Sequence, residues 1–266
     1  MAKERLDMFL VAQGLFETRS KAQAAIMAGE VLVDDQKIDK PGTLVKETVA
    51  IRLLGKKLPF VSRGGLKLEK ALEVFPIHLQ DKIVADLGAS TGGFTDCALQ
   101  HGAAKVYAID VGYGQLAWKL RQDPRVINME RTNVRFLEEN SLPEKIAVAT
   151  IDVAFISLDK VLPSTYKILE ENGEVVALIK PQFEAGRENV GKKGVVKDRE
   201  IHLAVIKKVL DLAVSLGFVI KGLDYSPVKG PEGNIEYLLY LGKQGETTFH
   251  PDNVAAIVAA SHENLK

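Results

Sequence analysis

The sequence is poor in cysteine, and it lacks long apolar runs. Cys97 is the only cysteine among 266 residues, which excludes an intramolecular disulfide and any zinc site made of several thiolates. The five histidines are scattered without metal-ligand spacing, so we expect no metal. No uncharged run approaches the roughly 18 residues that span a bilayer, and residues 1–14 carry charges where a signal peptide is apolar. We therefore expect a cytoplasmic protein without membrane contact.

The chain also lacks an excess of charge of either sign. It has 35 basic and 35 acidic residues, so any surface that binds nucleic acid must be local. A hydrophobic fraction of 46% and a charged fraction of 26% are typical of a soluble globular protein and exclude disordered and collagen-like classes. A length of 266 residues predicts one large domain with a smaller module.

The first residues form a small module of helices followed by strands. Apolar side chains between residues 3 and 29 recur at three- and four-residue steps, which predicts two short helices, and short apolar strands follow. The order RLDMFL, RSKAQA, IMAGEVLVDDQK resembles the RNA-binding domain of the ribosomal protein S-four family over about residues 4–55. The resemblance implies phosphate-led contact with folded RNA by Arg5, Arg19 and Lys21. The charge pattern alone favours a solvated helix face.

Strand and helix patterns alternate in the rest of the chain, after a linker around residues 54–59. The apolar runs KIVADLG, KVYAID, VINM, IAVATIDVAFIS and EVVALIK predict strands, and a helix is predicted over residues 159–173. This alternation predicts a mostly parallel sheet that binds ligands at the carboxyl ends of its strands. Residues 219–226 and 235–243 predict a closing antiparallel pair, and a helix is expected at the C-terminus.

A glycine-rich turn, DLGASTGGFT, follows the first of these strands. Its glycines do not have the G-x-G-x-x-G spacing of a dinucleotide site, and Asp86 would repel a pyrophosphate. A cationic cofactor without phosphate, S-adenosylmethionine, fits better, and Asp110 at the next strand end can accept hydrogen bonds from ribose hydroxyls. A glycine loop by itself also fits other nucleotide-like cofactors. The candidate cofactor residues are Asp86, Gly88, Ser90, Gly92, Gly93, Phe94, Asp110 and Asp152.

Four charged residues stand at places where strands of such a sheet begin or end. Lys67 precedes the sheet, Asp152 lies in an apolar strand, Lys180 ends another, and Glu236 begins the strand IEYLLYL. Each alone could be a side chain that has reached solvent. Because strand ends of an α/β sheet meet at one crevice, their joint occurrence predicts a site.

The motifs that carry these residues resemble those of one methyltransferase family. SRGGLKL, DLGASTGGF, IDVAFIS and LIKPQFE match, in order, the motifs of the TlyA family, whose catalytic domain is similar to the FtsJ-type RNA ribose methyltransferases; Ala154 replaces a frequent serine. The resemblance implies a Rossmann-like fold with a mostly parallel seven-stranded sheet, preceded by the small α+β domain. We place the RNA-binding domain at residues 1–58 and the methyltransferase domain at 59–266.

The same resemblance implies an activity and residue roles. The expected reaction is S-adenosylmethionine-dependent methylation of a ribose 2′-hydroxyl, of cytidine, in ribosomal RNA or ribosomal subunits. The Lys-Asp-Lys-Glu tetrad of the family maps onto Lys67, Asp152, Lys180 and Glu236. We take Lys180 as the general base; burial and Lys67 favour its neutral form, whereas the carboxylates oppose it, and the balance stays open. Asn133 stands where related enzymes have an acidic residue for the adenine amino group.

Other acceptors fit the residues less well. Methylation of base amino groups uses an Asn/Asp-Pro-Pro-Tyr/Phe turn, which Asp152-Val153-Ala154-Phe155 does not provide. Methylation of a pyrimidine carbon needs a cysteine nucleophile near the same strand, and Cys97 lies in the helix after the glycine-rich turn instead. We interpret Cys97 as a small buried hydrophobe. Trp118 could stack on a flipped base, but its spacing is that of a packed helix residue, so we expect it in the core. Further RNA contacts are assigned to Arg63 and, in a mobile loop over residues 184–199, to Arg187, Lys192, Lys193 and Lys197.

Two other functions remain open at this point. Proteins that resemble this one have been labelled haemolysins, although the missing signal peptide and spanning helix argue against a lytic toxin. An RNA-binding protein with an inert methyltransferase domain is the other alternative. The oligomeric state is not indicated by any motif.

Overall fold

A computed structural model describes residues 3–54 and 58–265. Residues 55–57 of the predicted linker lie outside this description. By its internal contacts the chain divides into two compact units, Met1–Leu58 and Pro59–Lys266. No helix in the described ranges is both long and apolar enough to cross a membrane.

The first unit has two helices and five short strands. Helices α1 and α2 pack on a core that includes Leu6, Leu10, Ile26 and Val31. Strand β1 pairs with β4, and a second sheet has the order β3-β2-β5, all antiparallel. The elements are β1 (Lys3–Arg5), α1 (Leu6–Ala12), α2 (Arg19–Met27), β2 (Val31–Val33), β3 (Gln36–Lys37), β4 (Leu44–Lys46) and β5 (Ile51–Leu53).

The second unit is organised around a seven-stranded sheet. Its order is β11-β12-β10-β9-β6-β7-β8; β12 runs antiparallel to both of its neighbours, and the other pairs are parallel. The predicted mostly parallel sheet is confirmed. The strands are β6 (Ile83–Leu87), β7 (Lys105–Ile109), β8 (Val126–Met129), β9 (Ile146–Ile151), β10 (Leu169–Ile179), β11 (Val219–Tyr225) and β12 (Tyr237–Gly242).

Seven helices accompany this sheet, and one of them is shorter than its sequence pattern indicates. The predicted helix over residues 159–173 ends at Ile168, because Leu169 already pairs with Ile146 as the first residue of β10. The helices are α3 (Gly64–Val74), α4 (Gly93–Gln100), α5 (Trp118–Arg121), α6 (Leu162–Ile168), α7 (Pro181–Glu184), α8 (Arg199–Ser215) and α9 (Asn253–Asn264).

Alternate residues of the central strands point into two separate cores, as the two-residue period of a strand requires. In β6, Val84 belongs to the core under α3 and α4, whereas Ala85 belongs to the core under α6, α8 and α9. In β9, Val148 and Ala149 divide in the same way. With both faces covered by helices, polar ligands can reach this sheet only at the ends of its strands.

Candidate active site

Four elements place the four predicted catalytic side chains at one end of the sheet. Lys67 lies in the first turn and a half of α3, and Asp152 directly follows β9. Lys180 directly follows β10, and Glu236 directly precedes β12. Because β12 runs antiparallel to β10, its first residue lies at the same sheet edge as the last residue of β10.

The four side chains form one continuous chain of ion pairs. The amine of Lys67 lies 2.7 Å from Glu236 Oε2 and 3.4 Å from Asp152 Oδ2, and Asp152 Oδ1 lies 2.5 Å from the amine of Lys180. The order is therefore Glu236–Lys67–Asp152–Lys180, and only 1% of Glu236 and 9% of Lys180 is exposed. Burial favours a neutral amine at Lys67, but the charges of Asp152 and Glu236 outweigh it and raise the pKa of Lys67.

The glycine-rich turn lies against the backbone that carries Asp152. Gly88 has φ +88°, which only glycine adopts without strain, and a Cβ built on it would lie 2.8 Å from the carbonyl oxygen of Asp152. Gly92, with φ +94°, precedes α4 as its N-cap residue. The missing side chain at Gly88 thus lets the turn and Asp152 approach each other closely.

A cavity of about 420 Å³ opens between the turn and the ion-pair chain. All four members of the chain line it. So does Arg63, whose guanidinium donates a hydrogen bond to the carbonyl of Lys229. Six of the predicted cofactor residues also line it: Asp86, Gly88, Ser90, Gly93, Phe94 and Asp152. The residues predicted to bind a cofactor and the predicted catalytic side chains thus line one continuous space.

Asp86 faces this cavity but uses its carboxylate inside the protein. Its Oδ2 accepts hydrogen bonds from the backbone N–H and the hydroxyl of Thr95, and its Oδ1 accepts one from Thr150. Burial raises the pKa of Asp86 to about 7, although these hydrogen bonds lower it. Asp86 therefore ties the end of β6 to the first turn of α4.

The remaining predicted cofactor residues, Gly92, Asp110 and Asn133, lie outside the lining of this cavity. Asp110 Oδ2 accepts a hydrogen bond from the N–H of Ser90, and its Oδ1 accepts one from Gly112. Asn133 Oδ1 accepts one from the N–H of Arg135 at the start of a short 3-10 helix. Asp110 thereby holds the glycine-rich turn at Ser90, which itself has φ +48°.

Phe155 belongs to the motif IDVAFIS, but no role was predicted for it from the sequence. It lies three residues after Asp152, has φ +62° and is 92% exposed. A bulky residue at positive φ is strained. Aromatic side chains are usually mostly buried, so a ring this exposed is unusual. Its ring contacts Phe183 at a centroid distance of 5.3 Å. The backbone of Phe155 adjoins the cavity, because Ala154, the preceding residue, is one of the lining residues.

The basic segment after α7 is anchored close to Glu236. The N–H of Val196 donates to Asn234 Oδ1, the Asn234 amide donates to the carbonyl of Gly194, and His202 contacts the carbonyl of Val196 at 3.0 Å. Sequence reasoning missed Asn234 and His202, since a buried anchor has no local motif. The four predicted RNA-binding side chains of the segment are exposed: Arg187, Lys192, Lys193 and Lys197.

In the first unit, a buried carboxylate organises the predicted RNA-binding arginines. Asp7 accepts hydrogen bonds from Arg5 and Arg19, and also from Gln23. The bonds from Arg5, more than any other contact, hold the pKa of Asp7 well below its usual range. Lys21 is exposed and pairs with Glu17 at 2.6 Å.

The expectation that Trp118 packs in the core is wrong. Its side chain is 71% exposed, because α5 is a single turn over Trp118–Arg121 and buries Leu120 instead. The helical spacing around it suggested a longer helix with a wider buried face than this turn has.

This sheet order, with a glycine-rich turn after its central strand and polar side chains gathered at the carboxyl strand ends, defines a Rossmann-like methyltransferase. Comparison with known proteins agrees. Residues 60–243 match the family described as FtsJ-like methyltransferase, and residues 4–51 match the S4 domain. The chain therefore belongs to the FtsJ-like methyltransferase family, in the group that carries an S4 domain and includes proteins named TlyA.

Two relatives and one solved structure illustrate the similarity. The chain is 50% identical over 273 residues to a candidate rRNA methyltransferase, YqxC, of Bacillus subtilis, covering 99% of this chain and 96% of the relative. It is 43% identical over 243 residues to the 16S/23S rRNA (cytidine-2'-O)-methyltransferase TlyA of Mycobacterium tuberculosis, covering 91% of each. A solved structure of a candidate hemolysin from Streptococcus thermophilus has a TM-score of 0.79 and 49% identity, with 99% of this chain and 97% of that chain covered.

Proposed function

We propose that this protein transfers the methyl group of S-adenosylmethionine to the ribose 2′-hydroxyl of a cytidine in ribosomal RNA. The observation that carries the proposal is the buried chain Glu236–Lys67–Asp152–Lys180 in the same cavity as the glycine-rich turn. The relatives named as rRNA methyltransferases support the choice of acceptor.

The residues around the turn fit this cofactor. When bound, S-adenosylmethionine supplies a methyl group on a positively charged sulfur. Gly88 and Gly93 bring backbone close to the cavity without side chains, and Ser90, Phe94 and Asp152 line it. Asp110, held at Ser90, is the candidate partner for ribose hydroxyls, and Asn133 for the adenine. We assign Asp86, Gly92 and their hydrogen bonds to shaping the turn.

Proton removal is assigned to Lys180. A ribose hydroxyl is a weak nucleophile, so a positioned base must take its proton as the oxygen–methyl bond forms. Lys67 lies between two carboxylates and stays an ammonium. Lys180 is the last member of the ion-pair chain and contacts one carboxylate, Asp152. Asp152 thus orients both amines and Glu236 keeps Lys67 charged. Once Lys180 has released its own proton to water, its neutral Nζ accepts the hydroxyl proton as the methyl group moves to the oxygen.

Several surfaces are proposed to hold the RNA. Residues 1–58 form the RNA-binding domain in this proposal, with Arg5, Arg19 and Lys21 contacting phosphates, and residues 59–266 form the methyltransferase domain. Phe155 is placed to stack on a base turned out of its helix, which would bring the attached ribose to the cavity. The remaining phosphate contacts are assigned to Arg63, Arg187, Lys192, Lys193 and Lys197.

The test is methyl transfer to unmethylated ribosomal subunits with labelled S-adenosylmethionine, followed by nuclease digestion and mass spectrometry. Lys180→Arg keeps the positive charge beside Asp152 but cannot become neutral, so we expect transfer to fall by about 10²–10⁴-fold. The matched control is Lys207→Arg, because Lys207 is 75% exposed and pairs only with a neighbouring turn, at Asp211. We expect both variants to bind S-adenosylmethionine as the parent does.

Each other outcome points to a different function. Cofactor binding without any label on either subunit would leave an RNA-binding protein with an inert catalytic domain. Label on a base rather than a ribose would overturn the assignment of the acceptor. Lysis of erythrocytes by the purified protein without S-adenosylmethionine would support the hypothesis that it is a hemolysin.

A further inference from the structure

Helices α3 and α4 bring together three side chains that can bind a metal ion. Glu69 lies on α3, Cys97 lies on α4, and His101 directly follows α4. One donor atom of each, a carboxylate oxygen, the thiol sulfur and an imidazole nitrogen, lies within 4.8 Å of the other two. Cys97 and His101 are four residues apart, so one helix turn presents both on the same side.

The distances between these atoms are close to those of a zinc site. Glu69 Oε2 lies 2.9 Å from His101 Nε2 and 3.6 Å from Cys97 Sγ. Bonds of about 2.0–2.3 Å to a tetrahedral ion imply separations of roughly 3.3–3.8 Å between ligands. The hydrogen bonds from Glu69 to Cys97 and His101 each contain a proton, which a bound ion would displace. A thiolate, an imidazole and a carboxylate together form a ligand set that suits a zinc-class cation.

The surroundings allow an ion to enter and to complete its coordination. The sulfur of Cys97 is fully buried, whereas the side chains of Glu69 and His101 are 36% and 39% exposed. A cavity of about 230 Å³ beside them is open to water, which can supply a fourth ligand. This cavity shares no lining residue with the catalytic one among the described parts of the chain.

We propose that Glu69, Cys97 and His101 bind a zinc-class divalent cation that fastens α3 to α4. The role is structural, because the donors lie outside the catalytic cavity. It still bears on the active site, since α3 carries Lys67 and α4 begins at the glycine-rich turn. An ion that binds the folded chain alone stabilises it by RT ln(1 + L/Kd), where L is the concentration of the free ion, so the melting temperature rises with L.

The experiment uses the full chain after removal of metal with a chelator. Co²⁺ is added first, because its absorption reports a cobalt–thiolate bond, and Zn²⁺ affinity is then measured by competition with a chromophoric chelator. Compared proteins are the parent, Cys97→Ser, His101→Gln and the matched control His250→Gln, which changes an exposed histidine elsewhere.

We expect a cobalt–thiolate band in the parent and in His250→Gln and none in Cys97→Ser. Zn²⁺ affinity should fall at least about tenfold in His101→Gln, since losing a direct ligand costs more than the 10-fold or greater loss seen for outer partners. The Zn²⁺-dependent rise in melting temperature should be correspondingly smaller in the same variant. His101 is partly exposed, so His101→Gln tests the site even if Cys97→Ser folds poorly. Absence of the band in the parent, or equal Zn²⁺ affinity in the parent and His101→Gln, overturns the proposal.

Discussion

Replacing Gly88 by alanine should lower the turnover number by more than backbone strain alone accounts for. The new Cβ would sit at φ +88° and 2.8 Å from the carbonyl oxygen of Asp152. Positive φ costs an alanine about 1–2 kcal/mol, and relief of the contact by backbone movement adds about 1–3 kcal/mol. Because the atom that must move belongs to Asp152, we expect the turnover number to fall about a hundredfold, the effect of misplacing a catalytic group by about 1 Å.

Gly114→Ala is the matched control for this prediction. Gly114 has φ +74°, but a Cβ there would meet no atom of the described residues within 4 Å. It should carry the strain of positive φ without the collision, and so lose stability by about 1–2 kcal/mol with little change in turnover. Thermal unfolding and methyl transfer are measured on both variants. Equal losses of stability and of turnover in the two would refute the argument that Gly88 sets the position of Asp152.

Three further predictions follow from other contacts. Asp7→Asn removes the carboxylate that positions Arg5 and Arg19 for phosphate contact, so the slope of log RNA affinity against log salt should become shallower by roughly 1–2, with cofactor binding unchanged. An unaltered slope would count against phosphate contacts by these arginines. Phe155→Ala should weaken RNA binding by about 1–3 kcal/mol, the worth of one stacked base, without lowering the melting temperature, because the ring is 92% exposed; a matching drop in melting temperature would make its role structural. Burial raises the pKa of Asp86 from 3.8 to about 7, so the folded chain binds more protons than the unfolded chain between these values and its stability falls as pH rises through them; Asp86→Asn should flatten that part of the stability profile, and an unchanged profile contradicts the shift.

The gathering of the four charged residues was predictable because it follows from topology. Lys180 ends an apolar run and Glu236 begins one, so a parallel sheet with an antiparallel closing strand must bring them to one edge. The same reasoning placed Asp152, and the ion pairs show all four in contact. Their order along the ion-pair chain was not predictable, since it depends on how α3 packs its Lys67 between two strand ends.

Features that depend on packing or on single backbone angles were not predictable from the sequence. The residues around Phe155 do not indicate a positive φ, and the helical pattern around Trp118 suggested a helix longer than the single turn that forms. The proximity of Cys97 and His101 to Glu69 needs the packing of two helices, which residue spacing along the chain does not report. Such features arise from tertiary contacts, which override local propensity.

The place of β12 in the sheet has a consequence for the order in which the chain becomes active. This strand, Tyr237–Gly242, is the last of the seven to be synthesised, yet it lies between β10 and β11 and not at an edge. A nascent chain that ends before it has an unpaired β10 edge, and Lys67 lacks the nearer of its two carboxylates, Glu236. Domains complete their folding only when such distant strands meet. The site is therefore complete only once β12 has joined the sheet, and a product shortened before this strand would lack Glu236 and a working site.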